Sequence, residues 1–249
     1  MSRIVLTAAS RVGCVRSNNE DMVLAYDKFV RSEVYQTEFM TENTNRFVIA
    51  VADGMGGHNA GEVASVDALA NLQYYINDLP QGLSSMEFNE MMIVWLDSIN
   101  KMITSKGMAD PSMLEMGTTL VGIIYYGGKY YWMNCGDSRL YRYRDGHLKQ
   151  LSTDHSLKTV NGEKKHSNII TNCIGGGCKT SYLDLYEFSA DFLEGDTYIL
   201  CSDGLNDMVK DEEIERLVSE GANANQLCEA AIVAGGFDNV SVCVFSVQH

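Results

Sequence analysis

The chain has 249 residues, with 33 acidic against 19 basic side chains and a formal net charge of −14. That length suits one large α/β or β-rich domain, and with only two prolines and no low-complexity run, residues 1–249 are expected to form a single domain. The charge excludes a nucleic-acid partner, which needs a concentrated basic face, and without a signal-peptide core or a run of about 18 apolar residues the chain is expected to be soluble and cytoplasmic, with no membrane partner.

In chain order, the first clear element is Arg46–Asp53, a continuous apolar run of buried-strand length stopped by a glycine-rich turn. Ala60–Asn77 reads as a helix. From Ser85 to Lys106 a second helix is predicted, because Phe88, Met91, Met92, Trp95, Ile99, Met102 and Ile103 recur at three- and four-residue steps and share one buried face. Four β-branched or aromatic stretches follow, at Thr118–Tyr126, Lys129–Cys135, Arg139–Arg144 and His147–Leu151. Gly127-Gly128, Gly136-Asp137-Ser138 and Asp145-Gly146 separate them, and the first and last of these are tight-hairpin signals, so the four read as an antiparallel meander. A strand at Thr197–Ser202, helices at Asp211–Ser219 and Asn225–Ala234, and a strand at Asn239–Val247 close the chain. Grouped helices, then grouped strands, describe an α+β domain with a mostly antiparallel sheet and helices on its outer faces.

The seven cysteines are odd in number and sit mostly in apolar surroundings, as buried free thiols do, which fits a reducing compartment. Cys173 and Cys178 are the closest pair, but there is no CxxC with a matching partner, and a zinc site is disfavoured.

Acidic residues recur where strands end in turns: "RSNNED" (Arg16 to Asp21), "VADGMGGHNAGE" (Val51 to Glu62), "NCGDSR" (Asn134 to Arg139), "CSDGLND" (Cys201 to Asp207) and "GGFDN" (Gly235 to Asn239). Any one of these is an ordinary turn residue, since Asp favours turns. The repetition of apolar strand, Asp, small residue at Asp53, Asp137 and Asp203 says more. Strand ends of one sheet converge, and crowded carboxylates repel and shift each other's pKa unless a cation neutralises them. An all-oxygen donor set selects Mg²⁺ or Mn²⁺ over zinc or copper. No Gly-Lys-Ser/Thr and no GxGxxG follows Gly54, Gly56 and Gly57, so these glycines are read as giving close backbone approach and a carbonyl ligand, not a nucleotide cradle.

The ordered set "GCVRSNNED", "VADGMGGHNAGEVAS", "MGTTLVGI", "NCGDSRLYRYRDGHLKQLSTDHS", "YILCSDGLNDMV" and "GGFDNVSVCVF" resembles the metal-dependent Ser/Thr protein phosphatases of type 2C, the PPM family, in their bacterial form. The resemblance implies a four-layer αββα sandwich, two mainly antiparallel sheets flanked by antiparallel helix pairs. It implies Mn²⁺ or Mg²⁺, two ions in the core and a third in bacterial members. Asp53 would bridge two ions, Asp203 and Asp238 would complete one site, and Glu20 with the Gly54 carbonyl would serve the other. Asp137 with Asp203 would hold the third, Asp21 would orient water, Asn239 would support the strand end beside Asp238, and Arg16 would bind the phosphoryl group with its planar fork.

The activity so implied is hydrolysis of phosphoserine and phosphothreonine in proteins by attack of a hydroxide bridging two metals, in opposition to a Ser/Thr kinase, by a monomer. Two other readings stand beside it: a non-catalytic regulatory module of the same fold, and a metal-dependent phosphohydrolase of small phosphoesters. Two departures from the family are visible. Met55 follows Asp53-Gly54 where many eukaryotic members carry His, which leaves His58 as a candidate general acid against a structural role and against a water donor. The flap at residues 156–175 is short, with Asn172 where Arg is common, and Lys164, Lys165 and His166 either contact a phosphopeptide or solubilise a loop.

Overall fold

The computed structural model describes residues 2–56, 60–157 and 169–248. Helix α1 (Ala60–Asp78) and α2 (Ser85–Ala109) pack on one face of the molecule, and the short α3 (Asp203–Asn206), α4 (Asp211–Ser219) and α5 (Ala224–Val233) on the other. Between them lie two six-stranded antiparallel sheets. The first runs in the order β11 (His147–Gln150), β10 (Arg139–Arg144), β14 (Thr197–Cys201), β15 (Val240–Gln248), β1 (Arg3–Arg11), β4 (Val34–Met40). The second runs β13 (Asp184–Glu187), β9 (Lys129–Cys135), β8 (Leu120–Tyr126), β5 (Arg46–Ala52), β2 (Met22–Ala25), β3 (Lys28–Val30). A three-stranded sheet of β12 (Ile174–Gly175), β7 (Gly117–Thr118) and β6 (Gly54–Met55) sits beside them. This is the αββα sandwich.

The continuous apolar run of β5 follows from burial on both sides. Phe47, Ile49 and Val51 face the other sheet, while Val48, Ala50 and Ala52 pack under Leu69, Leu72 and Trp95. A strand covered on both faces has no reason to alternate with polar residues. β15 repeats the arrangement, with Val240, Val242 and Val244 under α4 and α5 and Cys243, Phe245 and Val247 between the sheets. Helix α2 opens with a reciprocal cap: Ser84 Oγ accepts from the Glu87 N–H, and the Glu87 carboxylate accepts from the Ser84 N–H at 2.8 Å. Its buried stripe carries Phe88, Met92, Trp95, Leu96, Ile99 and Ile103, but Met102 is exposed, contrary to the periodicity. The buried face rotates along the helix, from the large sheet toward β12 at its C-terminal end, where Asn100 and Gly107 are buried instead.

The meander is corrected. β8 pairs with β9 and β10 with β11, each through the hairpin its glycines announce, but β9 and β10 belong to different sheets. Gly136-Asp137-Ser138 is a crossover between layers, not a hairpin. The single strand at Thr118–Tyr126 is likewise two, broken at Thr119, whose N–H donates to the Asp53 carbonyl at 2.9 Å. Strands β1 to β4 and β13, absent from the sequence reading, complete the sheets.

The registers decide where the loops meet. Met22 lies opposite Ala52, Val51 opposite Val121, Leu120 opposite Cys135, Arg139 opposite Cys201, Cys201 opposite Val242 and Arg11 opposite Val240. The loops holding Glu20 and Asp21, Asp53, Asp137, Asp203 and Asp238 therefore all emerge at one end of the sandwich.

Candidate metal centre

Each acidic loop at this end is fixed by contacts distant in sequence. The Asp53 backbone is clamped by its partner strand: its N–H donates to Thr119 Oγ1 at 3.0 Å, and its carbonyl accepts from Thr118 Oγ1 at 2.9 Å. Thr119 Oγ1 also meets Ser138 Oγ at 2.7 Å, which ties the Asp53 and Asp137 loops together. Gly54 passes so close to the first turn of α1 that a Cβ would stand 2.1 Å from the Gly61 carbonyl and 2.5 Å from that of Glu20. Only glycine fits such an approach.

Asp21 is fully buried, and its Oδ2 accepts from Ser202 Oγ at 2.8 Å. Ser202 Oγ in turn accepts the Ser241 N–H at 3.0 Å, and Ser241 Oγ meets Ser10 Oγ at 2.8 Å. Asn239 joins two loops: its Oδ1 accepts the Glu20 N–H at 2.9 Å, and its amide donates to the carbonyls of Val12 and Asn18. The glycine after Asp203 is explained the same way, since a Cβ on Gly204 would lie 1.9 Å from the Asn239 carbonyl. Arg31 donates to the Asp21 and Glu62 carbonyls and pairs with the Glu62 carboxylate at 2.9 Å, while Ser65 Oγ donates to the Glu20 carbonyl at 2.6 Å.

Sequence reasoning named Asp53, Asp137, Asp203, Asp238, Glu20, Asp21, Gly54 and Asn239, and the fold brings all of them to this end. It missed Ser10, Ser202, Ser241, Thr119 and Arg31, whose partners lie in other segments. Asp207 was legible only as part of "CSDGLND", yet its charge acts on both Asp137 and Asp203. His58, Lys164, Lys165 and His166, with most of the 156–175 flap, lie outside the described residues. Asn172 is buried and serves the flap's base, donating to the Tyr182 carbonyl at 2.8 Å and meeting His155 Nδ1 at 2.8 Å.

The electrostatics are those of like charges withdrawn from water. Burial pushes the Asp203 carboxyl up to about 8, with Asp137, Asp207, Asp238 and Asp21 adding to it. Burial raises Asp21 and Asp137 to about 6 each, and places Asp53 well above the carboxylate range with the charges of Asp21, Asp203, Asp137 and Asp238. Glu20 is raised by burial too, against the opposing pull of Arg16. Asp238, at the rim, is paired: its Oδ2 receives Arg16 at 2.7 Å.

Whether these residues suit a cation is tested by their unused atoms. Asp21 Oδ1 and Asp203 Oδ1 are buried without a hydrogen-bond partner among the described residues. A buried carboxylate oxygen with nothing to accept from is costly unless a cation takes that place. No three His, Cys, Asp or Glu side chains among the described residues already stand at ligating separation. The donor set is all oxygen, negatively charged and under-satisfied, and fits Mn²⁺ or Mg²⁺.

Comparison with known proteins gives the same direction. The sequence model of the family described as protein phosphatase 2C matches residues 36–233. The serine/threonine protein phosphatase PstP of Mycobacterium tuberculosis is 34% identical over 99% of this chain, which spans 46% of that relative's length. Among solved structures, the S. agalactiae serine/threonine phosphatase superposes with a TM-score of 0.81 at 27% identity, over 98% of this chain and 100% of the other. The catalytic domain of PstP in complex with two manganese ions superposes with a TM-score of 0.74 at 32% identity over the full length of both chains.

Proposed function

The chain belongs to the protein phosphatase 2C family, and from that premise we propose that it is a metal-dependent phosphoprotein phosphatase that hydrolyses phosphoserine and phosphothreonine. The observation that carries the proposal is the pair of buried, partnerless carboxylate oxygens on Asp21 and Asp203 amid carboxyls that hold protons near neutrality. Asp53, Asp203 and Asp238 would hold one Mn²⁺ or Mg²⁺, Asp53, Glu20 and the Gly54 carbonyl a second, and Asp137 with Asp203 a third. Such ions supply Lewis acidity, which activates water and neutralises charge on a transferring phosphoryl group.

The chain's own residues do the rest. Arg16 is exposed and pairs with Asp238 at the rim, so its guanidinium can turn from that carboxylate to the equatorial phosphoryl oxygens and bind them through two N–H groups. Asp21, held by Ser202, presents its free oxygen inward to orient the attacking water. Asn239 accepts the Glu20 N–H and Thr119 that of Asp53, so the loops carrying these two carboxylates, which flank paired strands β2 and β5, keep one spacing through turnover. His58 remains a candidate to protonate the leaving alkoxide. The molecule would act as a monomeric, cytoplasmic enzyme opposed by a Ser/Thr kinase. Among the described residues no helix is long and apolar enough to cross a membrane.

Phosphate release from phosphoserine and phosphothreonine peptides with Mn²⁺ tests this. Turnover should vanish with EDTA and in Asp53→Asn, and should exceed that on a small aryl phosphate. Turnover that survives both EDTA and the substitution would overturn the assignment.

A further inference from the structure

The segment leading out of the flap reads Cys173-Ile174-Gly175-Gly176-Gly177-Cys178. Its three glycines hold φ of 74, 57 and 77°, a succession that residues with side chains adopt only under strain. They double the chain back, and the Cys178 N–H closes the turn on the Gly175 carbonyl at 2.9 Å. The consequence is a contact of 3.2 Å between the two sulfurs. All seven cysteines are free thiols; Cys135 is buried near this pair, its charge acting on Cys173 and that of Cys178 acting on it, while Cys201, Cys228 and Cys243 are buried and Cys14 is exposed. Cys173 is buried and Cys178 half-buried, so solvent reaches only the second.

This turn is joined to the carboxylate end by backbone. β12, which begins next to Cys173, pairs with β7, and β7 pairs with β6, whose first residue is Gly54. A Cβ placed on Gly176 would lie 2.8 Å from the Cys173 sulfur and 3.3 Å from that of Met55. Gly176 therefore lies against both the Cys173 sulfur and Met55, the second residue after Asp53. On the far side Asn100 grips the turn, accepting the Gly175 N–H at 2.7 Å and donating to the Cys178 carbonyl at 3.4 Å.

We propose that Cys173 and Cys178 are a thiol-oxidation site: a hydroperoxide converts them to a reversible intramolecular disulfide, and closing that bond shifts β12 and, through β7, the Asp53–Gly54 turn. The predicted effect on turnover rests on the phosphatase reading above; formation of the bond does not. In the first step the Cys178 thiolate attacks the outer oxygen of ROOH, an S–O bond forms as the O–O bond breaks, and the alkoxide leaves as ROH after taking a proton. In the second, Cys173 loses its proton and its sulfur attacks that of Cys178, so the S–O bond breaks and hydroxide departs with the proton as water. The sum is two thiols and ROOH giving one disulfide, ROH and H₂O, a two-electron oxidation of sulfur matched by reduction of the peroxide. Burial, together with the adjacent Cys178 thiol, pushes the Cys173 thiol up and keeps it protonated at rest, so the accessible Cys178 sulfur takes the first step and Cys173, already in contact with it, takes the second. Bond formation draws the sulfurs together by roughly 1 Å, to the usual separation of about 2.05 Å. The turn is tied to β7 through β12 and to Asn100, the route by which that movement would reach the Asp53–Gly54 turn.

The test uses the full chain, purified under reducing conditions and treated with equimolar hydrogen peroxide. Intact mass should fall by two hydrogen atoms, differential alkylation should map the crosslink to Cys173 and Cys178, and dithiothreitol should reverse it. Cys178→Ser should abolish the mass change and Cys14→Ser should keep it, with circular dichroism melts showing that both fold; if Cys178→Ser does not, Cys173→Ser replaces it. Phosphopeptide turnover with Mn²⁺ should fall at least threefold in the oxidised wild type, return on reduction, and stay unchanged in peroxide-treated Cys178→Ser. A crosslink elsewhere, oxidation of Cys178 to sulfinic acid without a crosslink, or thiols that remain free would overturn the site. A mapped disulfide with unchanged turnover would overturn the link to Asp53. A mapped disulfide in a chain whose reduced form has no turnover would leave the site standing and defeat the phosphatase reading instead.

Discussion

Strand β14 has a carboxylate near each end, and the two are treated in opposite ways. Before its first residue, Asp196 is 1% exposed and receives two N–H groups of Arg144 at 2.6 Å, the Tyr198 hydroxyl at 2.9 Å and the Leu193 N–H at 3.0 Å. Burial works against its charge, but the Arg144 guanidinium and the other donors outweigh it and hold the carboxyl below the usual range. After the last residue, Asp203 is surrounded by Asp137, Asp207, Asp238 and Asp21, keeps one oxygen without a partner, and is pushed up to about 8. Burial alone does not distinguish a structural carboxylate from a functional one. The distinction is whether the chain supplies the cation itself.

Substituting the two ends crosswise should break the comparison or confirm it with the largest effect. Asp203→Asn should lower phosphopeptide turnover with Mn²⁺ by about 10³-fold while raising the melting temperature of the metal-free chain above about pH 8, where the wild-type carboxyl ionises against its neighbours and the amide does not. Asp196→Asn should leave turnover within a few-fold but cost about 3 kcal/mol by stranding the Arg144 charge, read as a melting point lower by about 6–12 °C. A metal-free Asp203→Asn that melts below wild type above about pH 8 would show that this carboxylate is structural after all.

The two arginines sharpen the same contrast at smaller amplitude. Arg16 meets Asp238 at an exposed rim, with 53% and 37% of the side chains accessible, so Arg16→Ala should change stability by under about 0.5 kcal/mol. Its effect should instead appear as a fall in kcat/KM of about tenfold or more, with Arg16→Lys failing to restore it. An unfolding midpoint that moves while kcat/KM does not would place Arg16 with Arg144.

The smallest effect is a difference in pH slope. The folded carboxyls near Asp203 bind protons more tightly than the ordinary Asp value of 3.8, so in the metal-free chain their contribution to stability is fully present below about that pH. Stability should then fall as pH rises through about 6, where Asp21 and Asp137 ionise, to about 8, where Asp203 does. Asp196 has the opposite sign: its contribution is present above 3.8 and lost as pH falls through its lowered value. Mn²⁺ at a hundredfold excess over Kd should add about 2.7 kcal/mol near pH 8 and less near pH 5. Melting curves across pH, with and without Mn²⁺, read both slopes. An Mn²⁺ gain independent of pH would mean that the ion binds outside the carboxylate cluster.

The parts of the fold legible in sequence were those whose signal is local. β9, β10 and α4 have the bounds their patterns predict, since hairpin glycines and apolar runs carry that information within a few residues. β1 and β4 were not seen because β1 mixes small and polar residues and β4 is a half-exposed edge strand. The crossover at Gly136 was misread as a meander for a related reason. A turn sequence reports that the chain bends, not which sheet receives it.

By itself the sequence singled out the carboxylates that the fold gathers at one end, because an Asp at the end of a buried strand, repeated in order, is written into adjacent residues. Tertiary structure alone decided how those carboxylates are held. Ser202 reaches Asp21 across 181 residues, Ser241 reaches Ser10 across 231, and Asn239 holds Glu20 across 219. A serine or asparagine carries no periodicity of its own, and its hydrogen bonds exist only once antiparallel registers have brought distant strand ends to the same edge of the sandwich.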